Sequence, residues 1–246
     1  MRAATFDEQP GHEIFSDAER SAWHALFERH FGVADGRKAL DLASGTGVIS
    51  HLMHDLGFAV TGMDWSEAML EKARAKSRLR GSNIRFLLGD AEHTLEEDDS
   101  YDVIVTRHLV WTLVDPAAAF AEWFRVLKPG GKLLVVDGDF VSPTWATKLN
   151  KAMSGFLESI GLRKPTEPVA HMQTHRDILA RVHFSEGARA NDVSAMLART
   201  GFDPVVVDFD LRQIHAAQKK HISFAKGLER GAQHRYAICA QKPVAS

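Results

Sequence analysis

The chain has 246 residues, 45% of them apolar and 25% charged, enough for one large α/β domain or two small ones with a buried core, which excludes a disordered chain. Thirty basic residues against 32 acidic ones leave a formal charge of −2, so no global positive field exists to hold nucleic acid, and no nucleic-acid partner is expected. A lone cysteine, Cys239, excludes a disulfide framework and a multi-cysteine metal site, and a reducing, cytoplasmic setting is expected.

No apolar run resembles a signal peptide or approaches the roughly 18 residues of a membrane span, so neither a leader nor a membrane is expected. Ser16 and Glu19 match a capping box, and Trp23, Leu26, Phe27 and Phe31 follow at helical spacing, predicting a helix from about Asp17 to His30. Lys38 to Leu42 reads as a first strand, closed by the small-residue turn Ala43-Ser44-Gly45-Thr46-Gly47, and helical spacing resumes at Val48, Ile49, Leu52 and Met53. The unit repeats with a strand over Ala59 to Met63, then Asp64, then Ser66 as the cap of a helix carrying Met69, Leu70 and Ala73.

Ile84 to Leu88 and Tyr101 to Thr106 are the third and fourth strands. Asp115-Pro116 opens a helix reaching Leu127, and Lys128-Pro129-Gly130-Gly131 turns the chain into a fifth strand, Lys132 to Val136. The alternation then breaks. Between 138 and 190 an apolar stripe of Trp145, Leu149, Met153 and Phe156 reads as an inserted helical cap over the sheet's carboxyl edge. Asn191 is expected to cap a further helix that Gly201 ends, and Val205 to Phe209 and Arg235 to Ala240 are the last strands, pairing antiparallel across a 25-residue link. Alternating strands and helices predict a doubly wound, seven-stranded, mostly parallel Rossmann-like sheet with an antiparallel last strand, in a single domain over 1–246 with an N-terminal helical segment, 1–37.

Small residues at 43, 45 and 47 let backbone approach a ligand closely, and the helix opening near Gly47 aims free amides at that spot. Alone, this is either a structural turn or half of a dinucleotide fingerprint, whose third glycine position is Ser50 here. Asp64 ends the second strand, where a carboxylate accepts ribose hydroxyls. Asp90 and Ala91 follow the third strand, where an acid and the next amide suit an adenine edge.

Asp41 to Gly47, Val60 to Ser66, Gly89-Asp90-Ala91-Glu92 and Arg125 to Gly131 resemble, in order and spacing, the class I S-adenosylmethionine-dependent methyltransferases, in particular their ubiquinone/menaquinone-biosynthesis-like small-molecule group. The resemblance covers residues 38 to 137 strongly. It implies that Asp41 and the backbone of Ala43, Ser44, Gly45 and Gly47 hold the methionine moiety of S-adenosylmethionine, and Asp64 the ribose. Trp65 and Met69 would face the adenine, Asp90 and Ala91 its edge, while Arg107 and His108 would lie near the sulfonium and the acceptor. Ala43 stands where the pattern often has glycine, and Phe6 stands for a tyrosine in Ala4-Thr5-Phe6-Asp7, which removes a hydroxyl from that segment.

The implied activity is methyl transfer to a nitrogen or oxygen nucleophile of a small molecule, with His108 as the proton acceptor and Phe6, Trp111, Trp145, His171 and His175 as acceptor contacts. His171 and His175 lie four apart, yet no third metal ligand is identifiable, so no metal is expected. A nicotinamide-dependent reductase and a non-catalytic S-adenosylmethionine-binding protein are the competing readings.

Overall fold

The computed structural model describes residues 13–142, 144, 147, 181–220, 222, 227–228 and 231–244. In chain order these form α1 (Asp17–Phe31), β1 (Lys38–Leu42), α2 (Val48–Asp55), β2 (Ala59–Asp64), α3 (Glu67–Arg80), β3 (Arg85–Leu88), β4 (Tyr101–Arg107), a 3-10 turn (Val110–Thr112), α4 (Pro116–Val126) and β5 (Leu127–Gly138). After residue 180 come α5 (Ala190–Thr200), β6 (Val205–Asp208), α6 (Arg212–Lys219) and β7 (Arg235–Gln241).

All seven strands join one sheet in the order β3-β2-β1-β4-β5-β7-β6. β1 to β5 pair in parallel, and β7 runs antiparallel to both β5 and β6, so the carboxyl ends of β1 to β5 lie along one edge. Alternate residues of the central strands enter opposite cores, as the two-residue strand period requires. Ile104, Leu133 and Val135 pack with Phe120 and Trp123 of α4 and Val193 and Leu197 of α5. Val103, Val105, Leu134 and Val136 pack with Trp23 and Phe27 of α1, Leu52 and Met53 of α2 and Ile214 of α6. Both faces are therefore covered, which is the doubly wound architecture.

Local chemistry sets most of the boundaries. Ser16 Oγ accepts from Glu19 N at 3.2 Å, and Asp115 accepts from Ala118 N at 3.0 Å just before Pro116. Three boundaries differ from the sequence expectation. β5 already begins at Leu127, because Leu127 pairs with Tyr101 and Lys242 exchanges hydrogen bonds with Gly130 and Gly131, folding the Pro-Gly-Gly turn into the ladder. α5 begins at Ala190, two residues earlier than a cap at Asn191 implies: Arg189 is the cap, and its carbonyl accepts from Asp192 N and Val193 N. The link between β6 and β7 contains α6, whose Ile214, with the capping Leu211 before it, completes the α1 side of the core. Most of the expected cap, with Trp145, Leu149, Met153 and Phe156, lies outside the described residues, as do Phe6, His171 and His175.

Candidate cofactor and acceptor site

The register of β1, β2 and β4 sets Leu42 beside Met63 and Thr106, so the turns leaving these strands converge on one place. After β1 the chain must reverse into α2 within five residues, and it does so with Ala43 at φ 56°, Gly45 at 56° and Gly47 at 81°. Two of the three are glycines, which accept this left-handed region without strain. Ala43 occupies it with its methyl group, so the substitution noted from the sequence is accommodated in the glycine-like conformation. Ser44 N donates to Met63 O at 2.9 Å, tying the turn to β2. A Cβ on Gly47 would stand 2.9 Å from Phe86 Cζ, so the close packing of the turn on β3 also needs glycine.

Asp64 is 7% exposed and ties this turn to the start of α3: Oδ2 accepts from Gly45 N at 2.8 Å and Oδ1 from Ser66 N at 2.9 Å. Burial raises its pKa above the usual carboxylate value, against these amide bonds. Ser66 thus sits at the cap of α3 without capping through its side chain; its amide orients Asp64 instead. Asp41 is buried behind the turn with Ser50 Oγ donating to Oδ2 at 2.5 Å, and burial pushes its pKa up to about 7, with the Arg107 charge opposing.

Asp90 is exposed; its Oδ1 accepts from Glu92 N at 2.9 Å, and the Ala91 carbonyl accepts from Trp123 Nε1 at 2.8 Å, which holds the turn after β3 against α4. Trp65 is 86% exposed beside Asp64, whereas Met69 is buried in the helix below it.

At the tip of β4, Arg107 places its guanidinium 5.6 Å from the Trp23 ring centroid on α1. His108 has φ 59°, donates N–H to Val136 O at 3.1 Å and meets Phe140 edge to face at 5.0 Å. Trp111 donates from Nε1 to His108 O at 3.1 Å and meets the same Phe140 at 6.0 Å, so it supports His108 and carries an aromatic wall beside it.

Sequence reasoning missed Asp137, Arg235, Trp23 and Gln218. Asp137 follows β5 as Asp64 follows β2, so the strand-tip acid signal was present; its oxygens accept from Val110 N and Gly138 N at 2.8 Å each, and burial pushes its pKa up to about 7. Arg235 lies over Phe140 at 5.2 Å. Trp23 and Gln218 meet this edge only because α1 and α6 pack together, and no local pattern signals that. Asp41, the turn, Asp64, Arg107 and His108 therefore come together at one sheet edge, with Asp90, Ala91 and Trp65 on its β3 side. Among the described residues no group of three metal-ligating side chains occurs, and no helix is long and apolar enough to cross a membrane.

The residues present fit S-adenosylmethionine on one further observation: the buried Ser44 Oγ in the turn has no hydrogen-bond partner among the described residues, which suits a polar ligand group. A family described as a methyltransferase domain matches residues 40–135. The demethylmenaquinone methyltransferase of Renibacterium salmoninarum is 31% identical over 186 residues, covering 72% of this chain and 76% of that one. The ubiquinone/menaquinone biosynthesis C-methyltransferase of Shewanella oneidensis is 36% identical over 136 residues, 51% of this chain and 54% of its own length, so the chain matches about half of that relative.

Among solved structures, phosphoethanolamine N-methyltransferase 2 of Haemonchus contortus, bound to phosphomonomethylethanolamine and S-adenosylhomocysteine, superposes with a TM-score of 0.66 at 16% identity, over 98% of this chain and 57% of that one. Geranyl diphosphate C-methyltransferase of Streptomyces coelicolor superposes at 0.61 and 16% identity, over 90% and 80%. These two share the fold. With the strand-tip acids, the glycine-bearing turn and the sequence relatives in agreement, the chain belongs to the S-adenosylmethionine-dependent methyltransferases, in the group of the quinone-biosynthesis enzymes.

Proposed function

We propose that the chain transfers the methyl group of S-adenosylmethionine to a small cyclic acceptor of the hydroxylated quinol class, releasing S-adenosylhomocysteine. The observation that supports this most is the convergence of Asp41, the Ala43–Gly47 turn and Asp64 beside an aromatic wall at His108, in a chain whose relatives carry quinone-biosynthesis names.

When bound, the sulfonium supplies an activated methyl group, so the protein's task is alignment, exclusion of water and any proton removal the acceptor requires. In this reading Ser44 and the turn amides hold the methionine moiety, Asp64 the ribose hydroxyls, Trp65 one face of the adenine and Asp90 its edge. Met69 supports α3 from below rather than touching the ring, since its side chain is buried. His108 accepts the acceptor's proton. Trp111 positions it, and Phe6, Trp145, His171 and His175 belong to the segments, 1–37 and 138–190, proposed together with the link from Leu211 to His234 to wall the acceptor. The balanced charge favours a small acceptor over nucleic acid, and the cytoplasm is the proposed location.

The names of the relatives favour a ring carbon as the methylated atom. A nitrogen or oxygen nucleophile is the second reading, favoured by a histidine at the strand tip, because such an atom gives up a proton directly. The test is incubation of the purified chain with methyl-labelled S-adenosylmethionine and chemically reduced demethylmenaquinone, with a phenol and an aromatic amine in parallel. Label in a stable carbon–methyl bond of the quinol supports the first reading; label in an ether or amine supports the second. Formation of S-adenosylhomocysteine with none of them removes this acceptor class.

A further inference from the structure

Beside His108, between the tips of β4 and β5 and the helices α1 and α6, lies a small cavity lined by Trp23, Arg107, His108, Ile214 and Gln218, among others. Its volume is about 20 Å³, room for one oxygen-sized group. Two of its lining side chains carry buried polar atoms with no hydrogen-bond partner among the described residues: the indole Nε1 of Trp23 and the amide Oε1 of Gln218. Trp23 is 2% exposed and Gln218 3%. A buried donor and a buried acceptor left unpaired cost stability, so a protein retains such a pair where something else completes it.

The orientation of Gln218 is built in. Its Nε2 donates to Glu19 Oε1 at 2.6 Å across 199 residues of sequence, while Glu19 Oε2 accepts from Phe15 N at 3.3 Å. The fully buried Glu19 carboxyl therefore fixes which end of the amide it receives and leaves Oε1 for another donor. Trp23 lies one helical turn beyond Glu19 on α1, with the Arg107 guanidinium stacked over its ring. One unpaired donor N–H and one unpaired acceptor oxygen on residues that line an oxygen-sized space match a hydroxyl, which both accepts and donates; a carbonyl would complete only Trp23, and an ammonium only Gln218.

We propose that Trp23 and Gln218 form a subsite that reads one hydroxyl group of the methyl acceptor, with the rest of the acceptor ring extending toward His108 and Phe140. The inference rests on the methyltransferase reading above and names the residues that would read a hydroxyl of that acceptor class. Within the proposed acceptor wall, it assigns reading of that hydroxyl to the helix pair α1 and α6.

The test compares two aromatic probes of equal shape, 1-naphthol and 1-methylnaphthalene, binding to the chain saturated with S-adenosylhomocysteine, in the wild type and in Trp23→Phe and Gln218→Met. Each protein is first checked for cooperative melting and for cofactor affinity. The subsite predicts that the wild type binds 1-naphthol about tenfold more tightly than 1-methylnaphthalene, as two hydrogen bonds to a buried hydroxyl allow. Each substitution should bring that ratio to within about twofold while cofactor affinity holds. Trp23→Phe keeps an aromatic ring in the core and reports independently if Gln218→Met, which strands Glu19, fails to melt cooperatively. Equal binding of the two probes to the wild type, as when the cavity holds only water, overturns the subsite, and so does binding of neither or an unchanged ratio in Trp23→Phe. Failure of the wild type to bind S-adenosylhomocysteine would instead overturn the cofactor reading beneath it.

Discussion

Asp64 has two duties in the free protein, since the oxygens assigned to ribose also hold Gly45 N and Ser66 N. Each carboxylate oxygen has a second lone pair, so amide and hydroxyl partners can share it. Asp64→Ala therefore removes ligand contacts and loosens the turn together. Calorimetric titration should show S-adenosylhomocysteine binding weakened by at least about 1.5 to 3 kcal/mol, the range of one hydrogen bond to a charged group. An unchanged affinity would detach Asp64 from the ribose. Asp41 makes a separate, pH-dependent prediction. Its folded pKa, about 7, lies above the unfolded value, so the native state keeps a proton that the unfolded chain gives up. Its contribution to stability consequently falls as pH rises from about 4 to 7. If the methionine amino group sits beside Asp41, binding lowers that pKa, so binding near pH 6.5 should release protons and tighten toward pH 8. Titrations in buffers of different ionisation enthalpy measure that release, which Asp41→Asn should abolish.

Among the elements, the β1–α2 turn and α3 are the ones proposed to hold the cofactor. Gly47 begins α2 at φ 81° with Phe86 behind it, so Gly47→Ala meets both backbone strain and a core ring. Urea denaturation should show a loss of about 2 to 5 kcal/mol, from roughly 1 to 2 for the left-handed residue and 1 to 3 for overpacking. Cofactor affinity should fall with it, because the amides at the start of α2 move. A variant as stable as the wild type would mean that Phe86 yields freely. Element boundaries were legible in the sequence wherever a local signal sets them, as at Ser16, Asp115 and Gly201. They were misread where long-range pairing decides: β5 starts early because Lys242 bonds to its turn, and α6 shows no marker beyond an apolar pair that fits the groove beside α1.

For the whole molecule, ligand binding to the folded state alone raises stability by mass action. S-adenosylhomocysteine at 100 times its dissociation constant should add about 2.7 kcal/mol and raise the melting temperature, while NADH at the same concentration should leave it unchanged. The reverse pattern would favour the reductase reading. The sequence by itself determined the doubly wound fold and pointed to the family and its cofactor. Strand–turn–helix units repeat locally, and an acid or glycine at a strand tip stands within a few residues of its neighbours, as Asp41, Gly45, Gly47 and Asp64 do. The neighbours proposed for the acceptor were brought together only by tertiary structure. Asp137 reaches its partners through the turn after β4, and Gln218 is oriented by Glu19 from the other end of the chain. Trp23 shares a cavity with His108 because α1 and α6 pack over the sheet. Such neighbours are chosen by burial and packing between distant segments, which leave no periodicity or spacing in the chain itself.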